Sequence, residues 1–488
     1  MDTRTRIASL ATLTALMAIA ACGGGDDGLP AAAPSPAPAP AASPGTPVAT
    51  LTAPAAFSAG LTGTVTLAAT ATDDVGVTSV EFQVDGAALS SATTAPYSAS
   101  VDTAQYASGQ HVVRVRALDA AGNASAWSSA TVSFGGSNTR PAGFTRDPSW
   151  VTGLSGATAI AQTPDGRMLV TEQGGTLRVV TGQSLVSTPA IALTVDSSGE
   201  RGLLGVAVHP NFASNGYVYL YYTTPSGGTH NRISRYTLSP PSADTIDPGS
   251  EQLIAELPAL SSATNHNGGA LHFGADGKLY VGVGENANGA NSQDLTTRLG
   301  KVLRYNDDGT IPGDNPFVAT TTGANQAIWA MGLRNPFTFA VQPGTGTIYI
   351  NDVGQSTWEE INLGTAGANY GWPNSEGPDN LTSAYTGPLF AYNHNAASPP
   401  GSGLGGFFTG IAIIGGAFYP DNGPFPAAYR GSYFFADLGS EFVARYDAAN
   451  NAAYSFGTLD DAPVGMLTGL DGALYVLTQT GITRFSAP

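Results

Sequence analysis

A short turn-and-strand motif recurs through the larger, C-terminal part of the chain and constrains the fold more than any other feature. Its copies are Pro164–Val170 (PDGRMLV), Ala275–Val281 (ADGKLYV), Leu470–Val476 (LDGALYV) and the looser Gly344–Ile350 (GTGTIYI). Each copy predicts a tight turn followed by a strand that cannot bury its faces alone. Radial stacking of such units predicts a β-propeller over residues 143–488, with about six blades at roughly 40–60 residues per blade.

The composition agrees with an all-β fold and excludes some classes of partner. Of the 488 residues, 62 are glycine and 33 are proline, while only 11% are charged. Many turns between short Val, Ile, Tyr and Leu runs are typical of all-β architectures, and the length suggests two or three domains. The net charge of −17 repels nucleic acid and anionic lipid, so we expect neither as a partner.

Residues 48–136 carry a different pattern, which predicts a small β-sandwich ahead of the propeller. Alternating runs such as Val80–Val84 and His111–Ala117 lie between turn signals. Their spacing suits a seven-stranded sandwich, and the segment resembles a bacterial immunoglobulin-like module. It contains no catalytic constellation, so we expect a spacer or a weak carbohydrate-contact module.

Residues 1–22 are typical of a lipoprotein signal peptide. A basic start and an apolar stretch lead to Ile19-Ala20-Ala21-Cys22, which resembles the bacterial lipobox. We expect lipid on Cys22, the single cysteine, and a short transmembrane anchor is the alternative. Glycine at position 23 favours the outer membrane, facing the periplasm or the exterior, with the lipid as the only membrane contact. Residues 23–47, rich in Gly, Ala, Pro and Ser, predict a disordered linker.

Four motifs within the predicted propeller carry a family resemblance. They are Gly199–Pro210 (GERGLLGVAVHP), Asn265–Gly277 (NHNGGALHFGADG), Gly332–Phe337 (GLRNPF) and Asp352–Pro373, which contains DVGQ, WEEIN and NYGWP. Their order and content resemble the glucose/sorbosone dehydrogenase family, whose members use pyrroloquinoline quinone (PQQ). The resemblance extends over nearly all of residues 143–488 and implies an exported sugar dehydrogenase.

The resemblance implies roles for residues in the first three motifs. His266 matches the family's general base, and imidazole suits removal of a hydroxyl proton as hydride leaves carbon. Arg334 matches the arginine that stabilises the reduced quinone oxygen, and Asn335 matches a residue that hydrogen-bonds the cofactor. Glu200 lies where the family contacts substrate or orients the base. The alternatives are a histidine that satisfies loop backbone, an arginine that braces loops, and a purely structural turn at Glu200.

The fourth motif implies calcium, because hard cations prefer oxygen ligands, including backbone carbonyls. By resemblance, the carbonyls of Gly354 and Gln355 would hold a Ca²⁺ linked to the cofactor. A further Ca²⁺ would use Glu360 and the Tyr370 carbonyl. The alternative for Glu359-Glu360 is a solvated turn.

The chain departs from the family near the end of the propeller. PQQ carries three carboxylates, which need cationic partners when buried. The family's soluble glucose dehydrogenase supplies a lysine and two arginines there, whereas Gly439, Ala462 and Val464 stand at the matching positions of this chain. Arg304, Arg430 and Arg445 are the candidates to replace them.

The sequence therefore favours one function and leaves two others open. The favoured function is oxidation of a sugar (aldose) by PQQ, with electrons passed on to an unknown acceptor. The first alternative is a propeller that binds ligands but has lost PQQ chemistry, which the missing cations favour. The second is a Ca²⁺-dependent, lactonase-like hydrolase, because fold alone does not define the reaction.

Overall fold

The structure is a computed structural model that describes residues 45–394 and 407–487. Cys22 and most of the predicted linker lie outside these residues, so the signal-peptide and lipidation hypotheses stay predictions. The described residues are mainly β-strands, with α-helices of four residues each at Phe212–Asn215 and Ala290–Gln293. No helix among them has the length and apolar character needed to cross a bilayer.

The first seven strands form the predicted immunoglobulin-like sandwich. They are β1 Val48–Ala53, β2 Thr64–Thr72, β3 Val77–Val84, β4 Ala87–Ala92, β5 Tyr97–Asp102, β6 Gly109–Asp119 and β7 Ser128–Phe134. One sheet has the order β1-β2-β5 and the other the order β4-β3-β6-β7. Alternate residues along the strands are buried, so Leu67, Phe82, Val115 and Val132 form an apolar core between the sheets.

The remaining strands form six further sheets within the described residues. The first sheet contains β9 Ala157–Gln162, β10 Met168–Glu172, β11 Thr176–Thr181, β12 Ser184–Leu185 and β13 Ile191–Ala192; β8, Thr145–Thr152, precedes it. The second contains β14 Leu203–Val208, β15 Tyr217–Thr224, β16 His230–Thr237 and β17 Gln252–Ala259. The third contains β18 Leu271–Phe273, β19 Leu279–Val283, β20 Lys301–Tyr305 and β21 Ile328–Met331.

The other three sheets follow in chain order. The fourth contains β22 Pro336–Val341, β23 Ile348–Asp352, β24 Trp358–Gly364 and β25 Phe390–Asn393. The fifth contains β26 Ile413–Phe418, β27 Tyr433–Asp437, β28 Phe442–Asp447 and β29 Ala452–Thr458. The sixth contains β30 Pro463–Thr468, β31 Leu474–Thr478 and β32 Gly481–Ser486, and β8 completes it. Short 3₁₀ turns lie at Thr103–Gln105, Pro248–Ser250, Gly323–Ala327 and Ala427–Tyr429.

These six sheets surround a channel, which confirms the propeller prediction. Their first strands contact one another in the cyclic order β9, β14, β18, β22, β26, β30 and back to β9. The pairing of β32 with β8, for example Ile482 with Val151, closes the sixth sheet. This pairing joins strands from the two ends of the propeller sequence, so the ring has no open edge between its last and first sheets.

Two of the recurring Asp-Gly turns share one local arrangement. The Asp276 carboxylate accepts hydrogen bonds from the Lys278 N–H at 3.0 Å, the Tyr280 hydroxyl at 3.0 Å and the Arg304 guanidinium at 2.8 Å. The turn at Asp471 repeats this pattern with Ala473 N, Tyr475 and Arg484. The aspartate thus ties its own turn to the next strand of the same sheet.

The channel is narrow in its middle. Side chains of the first strands, among them Leu204, Phe339 and Met466, line a cavity of about 40 Å³ there. A larger cavity of about 450 Å³ lies where the first strands end. The opposite end, where the first strands begin, is called the mouth below. Each of the first three motifs includes the start of a strand that begins there.

Candidate active site

His266 lies just before β18 and adopts an uncommon backbone conformation. Its φ angle is 57°, in the left-handed region that non-glycine residues seldom occupy. The Glu200 carboxylate accepts a hydrogen bond from the His266 backbone N–H at 2.7 Å, and this contact fixes the turn. Strained backbone of this kind is frequent at functional sites, where surrounding contacts maintain it. Glu200, which the family resemblance places where substrate is contacted or the base is oriented, therefore contacts His266 directly.

The hydrogen-bond partners of His266 define which ring nitrogen carries hydrogen. Asn265 Nδ2 lies 3.0 Å from His266 Nε2 and can only donate, so Nε2 is the accepting nitrogen. His266 Nδ1 then carries the hydrogen and donates to Glu285 Oε1. His266 is 8% exposed and Glu285 is 2% exposed. The imidazole therefore presents a basic lone pair backed by a buried carboxylate, an arrangement suited to general-base catalysis.

Asp352, of the fourth motif, binds the third motif at the mouth, and Asn335 links the third motif to the second. Its two carboxylate oxygens accept hydrogen bonds from the backbone N–H groups of Arg334 at 2.9 Å and Asn335 at 2.7 Å. The Asn335 side chain in turn accepts a hydrogen bond from Gly268 N at 3.0 Å. The structure thus brings His266, Arg334 and Asn335 together across the boundary between the third and fourth sheets.

Gly284 shows how closely these two segments pack. A Cβ atom at this position would lie 2.2 Å from the His266 carbonyl oxygen and 2.8 Å from Asn335 Oδ1. The next residue, Glu285, donates its backbone N–H to the Arg334 carbonyl at 2.9 Å. A side chain at position 284 would therefore separate the histidine from the arginine segment.

Three buried polar atoms at this site have no hydrogen-bond partner among the described residues: Arg334 Nε, Trp372 Nε1 and Glu285 Oε2. Arg334 does donate through Nη1 to the Val353 carbonyl at 2.9 Å, and its guanidinium lies 5.7 Å from the Trp372 ring. Buried donors without partners are costly, and a ligand with acceptor oxygens would satisfy them. The donors at Arg334 and Trp372 therefore fit a planar, anionic quinone such as PQQ.

The turn predicted to bind calcium through Gly354 and Gln355 surrounds a carboxylate. Glu376 Oε1 accepts hydrogen bonds from the backbone N–H groups of Gln355 at 2.8 Å, Ser356 at 3.1 Å, Thr357 at 3.2 Å and Trp358 at 3.3 Å. Burial opposes ionisation of Glu376, but these four donors lower its pKa below the usual value. The backbone N–H groups of this turn thus bind the Glu376 carboxylate of the same chain.

Glu359 and Glu360 are buried on β24, at 0% and 8% exposure, so the solvated-turn alternative is wrong. Glu360 accepts hydrogen bonds from Gly377 N and from Asn362 Nδ2. Burial raises the pKa of Glu360 to about 7, and the nearby charges of Glu376 and Glu359 add to the effect. Burial, together with the Glu360 charge, also raises the pKa of Asp352 well above its usual value.

Calcium stays a prediction. The Tyr370 N–H donates to the Met331 carbonyl at 3.0 Å, and the Tyr370 hydroxyl donates to the Leu363 carbonyl at 2.6 Å. In the part of the chain that the structure describes, no group of three or more His, Cys, Asp or Glu side chains could hold a metal ion. A calcium ion here would therefore depend on backbone carbonyls more than on a carboxylate cluster.

The positions that match the family's late cations carry none, as the sequence indicated. A Cβ atom at Gly439 would lie 2.4 Å from Ile411 Cγ1, so an apolar side chain occupies that space. Ala462 donates its backbone N–H to Asp461 at 2.8 Å, and Val464 is 5% exposed in the channel wall.

The three arginines considered as replacements are engaged elsewhere. Arg304 forms ion pairs with Asp276 and Asp314. Arg430 Nε donates to the Phe425 carbonyl at 2.9 Å, and Arg445 donates to the Asp85 carbonyl in the immunoglobulin-like domain at 2.8 Å. The donors at Arg334 and Trp372 therefore fit the ring of PQQ. The three arginines do not supply cationic partners for the carboxylates of PQQ.

Sequence reasoning missed Glu285, Asn265 and Trp372 as site residues. The sequence did contain a signal for Glu285. Several second strands end in an acidic residue or lie just before one, and its carboxylate accepts hydrogen bonds from groups at the mouth. Glu172, Asp352 and Asp437 end β10, β23 and β27, and Glu285 follows β19 by two residues. Asp437, for example, accepts the backbone N–H groups of Ala412 and Gly439, both at 3.0 Å.

Comparison with known proteins shows the family of the propeller residues. Residues 154–485 match the model of the Glucose / Sorbosone dehydrogenase family. The chain belongs to the glucose/sorbosone dehydrogenase family. The Aldose sugar dehydrogenase YliI of Escherichia coli is 35% identical over 219 residues, which are 44% of this chain and 58% of that protein. The Quinoprotein glucose dehydrogenase B of Acinetobacter calcoaceticus is 33% identical over 244 residues, 44% of this chain and 49% of that protein.

Solved structures of similar proteins match this chain over their whole length. The PQQ-bound Aldose Sugar Dehydrogenase of Streptomyces coelicolor is 26% identical with a TM-score of 0.57, and the match covers 72% of this chain and all of that chain. The curated relatives are matched over only about half of their own length, 58% and 49%. Residues 47–115 separately match the Bacterial Ig domain model, in agreement with the predicted immunoglobulin-like module.

Proposed function

We propose that this protein is a PQQ-dependent aldose dehydrogenase whose general base is His266. The observation that carries the proposal is the joint position of the His266–Glu285 pair and the Arg334–Asn335 segment at one mouth. The names of its relatives, an aldose sugar dehydrogenase and a quinoprotein glucose dehydrogenase, support the substrate class and the cofactor.

His266 performs the proton transfer in this proposal. A sugar hydroxyl displaces the Asn265 amide from Nε2 and gives its proton to that nitrogen as the carbon loses hydride. Glu285 accepts the Nδ1 hydrogen throughout, so its negative charge stabilises the imidazolium that forms. Glu200 keeps the imidazole in place by holding the His266 backbone N–H.

The residues that would hold the cofactor are Arg334, Asn335 and Trp372. When bound, PQQ supplies the two-electron acceptor for the hydride. Arg334 offers positive charge and a free N–H beside the base, and Trp372 offers a second free N–H within the described residues. Both donors are buried, where hydrogen bonds to an anionic oxygen are stronger than in water.

We also propose calcium at the carbonyls of Gly354 and Gln355, with a further ion at Glu360 and the Tyr370 carbonyl. The support is the family resemblance together with the buried Glu360 side chain, which a cation would stabilise as the anion. If calcium bridges cofactor and protein, chelation with EGTA will weaken PQQ binding, and added Ca²⁺ will restore it. Equal PQQ affinity with and without EGTA would remove calcium from the proposal.

A second candidate function is a propeller that binds ligands without PQQ chemistry. The observation that favours it is the absence of cations at Gly439, Ala462 and Val464, which leaves the cofactor carboxylates without those partners. The two candidates predict opposite results in a binding titration, since only the first requires affinity for PQQ.

Calorimetric titration of PQQ into calcium-loaded protein, followed by dye reduction with a panel of aldoses, tests the proposal. We expect saturable PQQ binding and sugar-dependent dye reduction, with loss of turnover in His266→Gln and retention of PQQ binding. His209→Gln is the matched control, because His209 follows β14 at the far end of that strand and binds Asn211 N at 2.9 Å. No PQQ binding at micromolar cofactor would exclude the dehydrogenase and leave the binding propeller.

For location, we propose a lipoprotein of the cell envelope, attached through lipid on Cys22. The support is the sequence of residues 19–22 alone. Cys22→Ser will release the protein from the membrane fraction in soluble form, whereas continued membrane retention would contradict the lipid anchor.

A further inference from the structure

The immunoglobulin-like domain packs directly against the fifth sheet of the propeller, where β6 contacts β29. Gln110 on β6 is 5% exposed, and its side-chain Nε2 donates to the Ala453 carbonyl at 2.9 Å. Its backbone N–H donates to Ser455 Oγ at 2.8 Å. The preceding Gly109 approaches so closely that a Cβ atom there would lie 2.2 Å from Ser455 Oγ.

A buried charge of the propeller depends on this contact. Arg445 is 1% exposed and lies between the rings of Tyr429 and Tyr454, at 4.8 and 4.3 Å. Its guanidinium donates to the Asp85 carbonyl of the immunoglobulin-like domain at 2.8 Å and to Ser432 Oγ at 3.1 Å. A buried guanidinium needs such acceptors, so this face of the propeller is built to be covered by the other domain.

The same domain also holds the segment that leads into the fifth sheet. Gln110 Oε1 accepts a hydrogen bond from the Phe407 backbone N–H. The Phe57 ring of the immunoglobulin-like domain lies 5.9 Å from the Phe407 ring. Two independent contacts, one polar and one aromatic, therefore meet at the same residue of the propeller.

From Phe407 the chain runs directly to the mouth. Phe408 is 4% exposed in the core of the fourth and fifth sheets. Ala412 N donates to Asp437 at 3.0 Å, and Ile413 N donates to Glu359 at 2.8 Å, so the segment ends on carboxylates at the mouth. Between these anchors the Ile411 side chain is 58% exposed beside Gly439.

We propose that the immunoglobulin-like domain positions residues 407–412 through Gln110 and Phe57, and so presents Ile411 to the sugar as an affinity determinant of the mouth. The assignment of the mouth as a sugar site rests on the proposed function. The domain is then part of the dehydrogenase, and the expected spacer or carbohydrate-contact role is replaced by a positioning role. Gln110 acts through residues 407–412 and takes no part in proton transfer.

Gln110→Met in the full chain tests the proposal, because methionine keeps the length of the side chain and removes both hydrogen bonds. Hydrogen exchange will be faster in peptides that cover residues 407–413 and unchanged in peptides from the first sheet. In turnover assays the KM for the aldose will rise about five-fold, the equivalent of the one hydrogen bond lost at Phe407, with kcat within about two-fold. The matched control is Gln105→Met in the same domain, whose exposed side chain donates to the Asp102 carboxylate at 3.3 Å.

Unchanged exchange at residues 407–413 in Gln110→Met would overturn the proposal, as would an equal KM change in Gln105→Met. Exchange is measured without sugar or cofactor, so a failure of the proposed dehydrogenase activity would leave this readout intact. If Gln110→Met does not fold, Phe57→Ala removes the second contact and must give the same local increase in exchange.

Discussion

At the scale of single residues, the hydrogen-bond partners of the polar side-chain atoms define the site. Glu285 fixes the hydrogen on Nδ1 of His266, so the opposite nitrogen, Nε2, is left to accept a proton. The Glu285 oxygen that does not bind His266 is buried without a partner among the described residues. In the proposed reaction, the negative charge of Glu285 stabilises the imidazolium that forms on His266.

Replacement of this carboxylate by an amide tests its role. Glu285→Gln will lower kcat by roughly 100-fold or more with little change in KM, because the imidazolium loses its counter-charge while the shape of the site is kept. Steady-state kinetics with a saturating aldose measure the effect. Glu256→Gln, on the outer strand of the second sheet, is the control, and equal kcat values for the two variants would contradict the assignment.

His272 gives a pH dependence of stability that is separate from catalysis. Burial lowers the pKa of His272 to about 4, although the Phe339 backbone partly opposes the shift. Between pH 6.5 and 4 the unfolded chain binds the proton and the folded one does not, so stability is lost as the pH falls. Over this pH range, the free energy of unfolding of His272→Phe will fall by up to about 3 kcal/mol less than that of the unmodified protein. Urea unfolding of both proteins across this pH range checks it, and parallel curves would contradict it.

At the scale of elements, a buried lysine fastens the segment that carries Glu285. Lys301 on β20 is 0% exposed, and its ammonium donates to the carbonyls of Asn291 at 2.6 Å, Ser292 at 3.1 Å and Leu299 at 2.8 Å. Asn291 in turn donates to the Glu285 carbonyl at 3.0 Å. Burial lowers the pKa of Lys301 to about 7, against the opposing charge of Asp294.

Lys301→Met will leave these carbonyls without their shared donor. We expect a loss of roughly 1–3 kcal/mol in the free energy of unfolding and a lower kcat, because Glu285 is no longer held against His266. Lys278→Met, at the chain's other lysine in an Asp-Gly turn, is the matched control. Thermal and urea unfolding measure the stability, and equal losses in the two variants would show that Lys301 has no special role.

The elements also show how far the sequence alone could lead. The Asp-Gly copies predicted the second strands correctly, since β10, β19 and β31 each begin two residues after the glycine. The motifs also predicted that His266 and Arg334 belong to one site. Each residue lies just before the first strand of a sheet, and these two strands begin at the same mouth. Glu285 carried a signal as an acid just after a second strand, but no local pattern names His266 as its partner. Gln110 escaped prediction because its partner, Phe407, is set by packing between domains. Local pattern does not encode such contacts.

At the scale of the whole molecule, stability depends on closure of the ring. Ile482 is 0% exposed and pairs with Val151 of β8, which is 2% exposed. The pair lies in the apolar core shared by the sixth and first sheets. Loss of packing at this point affects both ends of the propeller sequence at once.

A cavity in the closing sheet will therefore weaken the whole propeller. Ile482→Ala will lower the free energy of unfolding by about 2–5 kcal/mol. Leu253→Ala on β17, where the side chain is 51% exposed, will cost less than about 1 kcal/mol. Urea unfolding followed by tryptophan fluorescence compares the two, and a small loss for Ile482→Ala would show that closure contributes little.

The pairing of β8 with β32 also governs when folding can finish on the ribosome. Thr483 and Pro148, which meet across this seam, are 335 residues apart in the chain. The first strand of the propeller to be translated must wait for nearly the last one before it gains its partner. A nascent chain of this protein therefore cannot close the ring of its propeller until β32, Gly481–Ser486, has been translated.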